Sequence, residues 1–139
     1  MKNFAEVNKE FTRTVAAFIV EGYTINTGTM AGSQGEIARV DLTRGGELLR
    51  VLLEKTFEHG KTPDGRRYYL NAVKLTVGRC TEPMEVNSPS TWYTVWNNKL
   101  EILREQVWYE AETPDGNRYC DLGEALEWFD KMYGKEGER

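Results

Sequence analysis

Residues 99–118 read KLEILREQVWYEAETPDGNR, and their reading decides the fold. Up to Glu112 the residues are mostly good helix formers, and Leu100, Leu103 and Val107 fit one helical stripe. Leu103, Val107, Tyr109 and Ala111 also alternate as a strand does, broken only by Glu105. The neighbouring residues favour the strand. Thr113-Pro114-Asp115-Gly116 repeats Thr62-Pro63-Asp64-Gly65. In such a turn Pro presets φ, Asp supplies a local acceptor and Gly takes positive φ. The likeness runs from TPDGRRY at Thr62 to TPDGNRY at Thr113, each after an aromatic in an acidic context. One good turn used twice is preferred here to a duplicated hairpin, because turn chemistry recurs readily by chance.

Working back from there, residues 92–96 read as a strand, Asn97-Asn98 as a turn, and residues 80–90, with two prolines and no period, as a loop. Residues 66–79 place Tyr69, Val73, Leu75 and Val77 on one face and Tyr68, Lys74 and Thr76 on the other. Residues 47–58 alternate likewise, with Leu49, Val51, Leu53 and Phe57 opposed to Arg50, Glu54 and Glu58. Residues 36–43 alternate through Ala38, Val40 and Leu42, and residues 23–30 form a Thr-rich strand around Ile25. Short gaps containing Gly, at residues 31–35 and 44–46, make these hairpins.

Both ends are helical. Phe4, Val7, Phe11, Val15, Phe18 and Ile19 form an apolar stripe over residues 3–21, with Asn3 as cap, Glu6 in the first turn and Gly22 as terminator. Leu122, Ala125, Leu126, Phe129, Met132 and Tyr133 form a second stripe after Asp121, ended by Gly134. The expected fold is α+β: an antiparallel β-meander of about six or seven strands packed against an N-terminal and a C-terminal amphipathic helix. The 139 residues are enough for a single domain with its own core. Both helices are expected on one sheet face, which leaves the other open.

Composition narrows the function. Net charge is −4, which does not point to general affinity for nucleic acid or anionic lipid. Two cysteines, Cys80 and Cys120, make no disulfide framework and read as free thiols. Glu6, Lys9, Glu10 and Arg13 break the opening stretch, so no secretory signal is read there. No window reaches the roughly 20 apolar residues of a membrane span. A cytoplasmic protein without a membrane role is expected.

Catalytic motifs are absent from this reading. His59 is a lone histidine beside a turn and has no ligand-spaced neighbour, so no metal and no cofactor are expected. Gly32-Ser33-Gln34-Gly35 lacks the Lys of a phosphate loop. Cys120 precedes a helix, where a thiolate would be favoured, yet a small buried side chain is the commoner role. Glu54, Glu58, Glu101, Glu105, Glu110 and Glu112 could pair for acid–base work only in an apolar cleft.

Two surfaces are candidates for binding. The open sheet face would present Arg39, Asp41, Arg50, Glu54, Tyr68 and Lys74, with Arg66 and Arg67 at its edge. Trp92 and Trp96 would share one face of their strand, as an interface anchor if exposed. The expected function is a non-enzymatic module for a protein partner or for self-association. In outline the helix-flanked meander is similar to small accessory or inhibitor proteins of bacteria and their mobile elements, an analogy that assigns no residue. The alternative is nucleic-acid binding by the Arg/Lys face, and the third an enzyme using Cys120 or paired Glu residues.

Overall fold

The computed structural model describes residues 1–26, 35–80 and 101–133. Helix α1 spans Phe4–Val20 and begins in a reciprocal cap. The Glu6 amide donates to Asn3 Oδ1 at 2.9 Å, and the Asn3 amide donates to the Glu6 carboxylate at 3.2 Å. Two otherwise orphaned donors are satisfied there.

Among the described residues six strands follow: β1 (Thr24–Asn26), β2 (Glu36–Arg44), β3 (Glu47–Lys61), β4 (Arg67–Cys80), β5 (Glu101–Thr113) and β6 (Gly116–Cys120). Each pairs antiparallel with the next, so sheet order is chain order. The last element, α2, spans Leu122–Tyr133, and the Glu124 amide donates to Asp121 Oδ1 at 2.9 Å as the expected cap. Residues 101–113 are thus a strand despite their helix-forming composition. Pairing with β4 on one side and β6 on the other overrides local propensity. The second half of the 23–30 strand, the turn before Gly35, the 80–90 loop beyond Cys80, the 92–96 strand with Trp92 and Trp96, and Asn97-Asn98 lie outside the described residues.

Register puts Val51 opposite Val77 and Leu53 opposite Leu75. With Leu42, Leu49, Val73, Trp108 and Tyr119 these residues form the main core. Val7 and Val15 of α1 pack into it, joined by Phe4, Phe11 and Phe18. The helix runs across the strands. Phe4 meets Tyr119 of β6 edge to face at 5.8 Å, and Phe18 meets Tyr23, just before β1, at 5.5 Å. Beyond Phe4, Lys2 exchanges two backbone hydrogen bonds of 2.8 Å with Tyr119. That bridge occupies part of the outer edge of β6, which would otherwise invite pairing with another chain.

Helix α2 packs on the opposite face from α1, which corrects the expectation of a single helical layer. Its Ala125 is buried with Leu70, Ala111 and Cys120, and Tyr68 and Tyr109 pack around them. By pleat alternation these strand residues point away from Trp108 and Tyr119. The reason lies in the last hairpin, which is apolar on both sides: Trp108 and Tyr119 face α1, and Tyr109, Ala111 and Cys120 face α2.

A second correction concerns β5. Its core residue on the α1 side is Trp108, 5% exposed, whereas Leu103 is 40% exposed. The register shifts between Val77 and Gly78, whose partners are Arg104 and Ile102, so Leu103 is the extra residue of a bulge.

Candidate functional site

The ladder between β4 and β5 ends at Ala72 and Tyr109, while both hairpins continue past it. The β3–β4 hairpin runs on to Lys61 and Arg67, and the β5–β6 hairpin to Thr113 and Gly116. The two TPDG turns are therefore the tips of neighbouring hairpins at the same end of the sheet. In the first, the Gly65 amide donates to the Thr62 carbonyl at 2.9 Å. In the second, Thr113 Oγ1 donates to the Gly116 carbonyl at 2.7 Å, and Gly116 has φ of +104°. Two-stranded ribbons twist strongly once released from a wider sheet, so the hairpins part.

Helix α2 packs at this divergence. Arg66, at the first tip, forms an ion pair with Asp130 of α2. Gly60 stands opposite Tyr68, and a Cβ there would lie 2.6 Å from the Tyr68 hydroxyl, so only glycine lets that ring rest on β3.

Between the hairpins and α2 lies a groove with a volume of about 230 Å³. The β3–β4 hairpin contributes Phe57, Tyr69, Leu70 and Asn71. Strand β5 contributes Glu110, Ala111 and Glu112. Helix α2 contributes Ala125, Trp128, Phe129 and Met132. Leu70, Ala111 and Ala125 are buried and form its base, and the rim is exposed. Phe57 and Tyr69 are each 62% exposed and contact one another edge to face at 6.1 Å, with His59 stacked on Tyr69 at 5.5 Å.

Sequence alternation puts Phe57 and Tyr69 with the core residues, and they do share that pleat face. Their exposure follows from length. Helix α1 has 17 residues, about 25 Å, and β3 has 15, about 50 Å, so the helix crosses the hairpin and leaves its far end uncovered. Comparing those lengths was the signal available in the sequence.

The Arg/Lys face is not an open surface at its β2–β3 end. Asp41 and Arg50 are opposite one another in register and buried, 2% and 7% exposed. Arg50 Nε donates to Asp41 Oδ1 at 2.7 Å and Nη2 to Oδ2 at 3.1 Å. Arg39 Nε lies 3.6 Å from Glu36 and 3.9 Å from Asp41. Opposite charges directly across a strand pair can neutralise each other and be buried, and alternation alone does not reveal this. Lys74 is half-buried opposite Glu54, Tyr68 packs in the α2 cluster, and Arg66 is engaged with Asp130. Arg67 remains exposed at the hairpin tip. The structure therefore does not gather Arg39, Arg50, Arg66, Arg67, Tyr68 and Lys74 into one accessible site.

The catalytic candidates are dispersed too. His59 and Cys80 lie at opposite ends of the β3–β4 pairing, opposite Tyr69 and Leu48. Among the described residues no His, Cys, Asp and Glu side chains group to hold a metal ion. Burial pushes the Cys120 thiol up to about 11, with Glu124 and Asp121 adding to the effect. Those two carboxylates oppose the helix dipole that would favour a thiolate. Cys120 is accordingly expected to label slowly with a thiol reagent at neutral pH. Because the folded value is raised, its contribution to stability is intact below the ordinary thiol value and is lost as pH rises toward 11. Rapid labelling of folded protein at pH 7 would contradict this assignment.

Of the acidic candidates, Glu110 and Glu112 come together on the groove. Glu110 accepts from Asn117 Nδ2 at 3.2 Å and from the Tyr119 hydroxyl at 3.4 Å. Burial, and then the charge of Glu110, raise the Tyr119 hydroxyl above its ordinary value. Burial, followed by Glu58 and Tyr68, does the same to Tyr109. Glu112 is exposed, a setting for charge recognition rather than for a desolvated general acid. No helix among the described residues is long and apolar enough to cross a membrane. Compared with known protein families, curated proteins and solved structures, the chain matches none.

Proposed function

We propose that this protein is a non-enzymatic interaction module that seats part of a protein partner in the groove between its two TPDG hairpins and α2. The observation that carries the reading is the exposed Phe57–Tyr69 pair bordering a buried apolar base. Large aromatics left in water beside a concave apolar surface are what anchored interfaces bury. Met132, also exposed on the rim, suits a surface that adapts to an incoming side chain. The nucleic-acid alternative needs free cations on the sheet face, and Arg39, Arg50 and Arg66 are in ion pairs.

The test is purification of the tagged protein from cells of the organism that encodes it, with and without nuclease, read by mass spectrometry. A stoichiometric protein partner that survives nuclease is expected. Partners that vanish with nuclease, or a clean monomer with none, would overturn the reading.

A further inference from the structure

We infer that the partner segment seated in this groove is basic, presenting a Lys or Arg beside a large apolar side chain. The inference rests on the interaction reading above and adds the chemistry of the occupant. Size comes first. About 230 Å³ is below the roughly 300–1,000 Å³ that small-molecule sites occupy, and it suits one large side chain of a protein.

Charge comes second. Glu110 and Glu112 are two apart on β5 and so share a face, and neither has a cationic partner among the described residues. Glu110 is oriented by Asn117 and Tyr119, which hold its carboxylate without neutralising it. Of the cations near α2, Arg66 is engaged with Asp130 and Lys131 lies over the Trp128 ring at 4.3 Å, while the exposed Lys55, Lys61 and Arg67 lie along the first hairpin, away from Glu110 and Glu112 in register.

Aromatic chemistry comes third. Phe57 and Tyr69 meet at 65°, an arrangement that presents ring faces and edges to whatever enters. The stem of a Lys or Arg would lie along these rings, with its charged head at the carboxylates. An acidic segment or a nucleic-acid phosphate would instead meet two uncompensated negative charges.

The test uses three short capped peptides, Gly-Lys-Trp-Lys-Gly and its counterparts with both Lys replaced by Gln or by Glu. Each is titrated into isotopically labelled full-length protein at low salt, and the Trp128 indole and the Ala111 and Ala125 amides are followed by NMR. The basic peptide is expected to shift these signals and to bind at least several-fold more tightly than the Gln peptide. In the variant E110Q/E112Q, whose spectrum reports that it stays folded, its affinity is expected to fall about three- to tenfold. Equal binding of the Gln or Glu peptide at the same signals would overturn the basic preference and leave docking standing. Shifts at none of these signals with any peptide would overturn both readings.

Discussion

Replacing Asp41 by Ala is expected to lower the stability of the fold by about 3 kcal/mol or more. Asp41 is the carboxylate that takes two guanidinium nitrogens of Arg50, and both residues lie inside the sheet packing. Removing it strands a cation away from water, and that stranded charge dominates the loss, more than the attraction that disappears. Arg39, whose Nε lies 3.9 Å from the same carboxylate, loses one of its two acidic neighbours and keeps Glu36. Urea unfolding should show a midpoint lowered by about 1–2 M at an unchanged slope. The double variant D41L/R50M, which removes both charges and keeps apolar volume, should recover most of the loss. A cost well under about 1 kcal/mol for D41A would mean that the pair is solvated in solution.

The double variant F57A/Y69A is expected to weaken partner binding by about a hundredfold or more. Each truncation of an aromatic hot spot typically costs about 2 kcal/mol of binding, and about 1.4 kcal/mol is tenfold. The two rings touch, so their effects will not simply add. Stability should change by less than about 1 kcal/mol, because both side chains are mostly exposed in the folded chain. That contrast is the signature of an interface. A core aromatic such as Trp108 would lose stability first, by about 3–5 kcal/mol on truncation to Ala. The measurement is affinity for the purified partner, alongside urea unfolding of the same variant.

Much of the fold was legible because its local signals agree. The α1 stripe, its Asn3–Glu6 cap and Gly22 all mark one helix, and the repeated TPDG turn made β5 a strand against its own composition. Pairings such as Glu54 with Lys74 and Val51 with Val77 follow from alternation once the turns are placed. What alternation does not carry is which face is covered, and how far along. Phe57 and Tyr69 have core spacing and lie beyond the reach of α1. Asp41 and Arg50 have surface spacing and are buried because they neutralise each other. The bulge at Leu103 and the two-sided apolar hairpin of Tyr109, Ala111 and Tyr119 depend on the third dimension. The groove is the sum of these effects. It forms where two hairpins separate and α2 packs against them, and no run of sequence encodes that separation by itself.

The most direct test of the interaction reading is site-specific photocrosslinking in cells of the organism that encodes the protein. A benzophenone amino acid replaces Asn71 or Met132 on the groove rim, or Ile25 on the distant edge strand β1. One protein partner is expected from both groove positions and not from Ile25. Capture of that partner from Ile25, and from neither groove position, would contradict that reading.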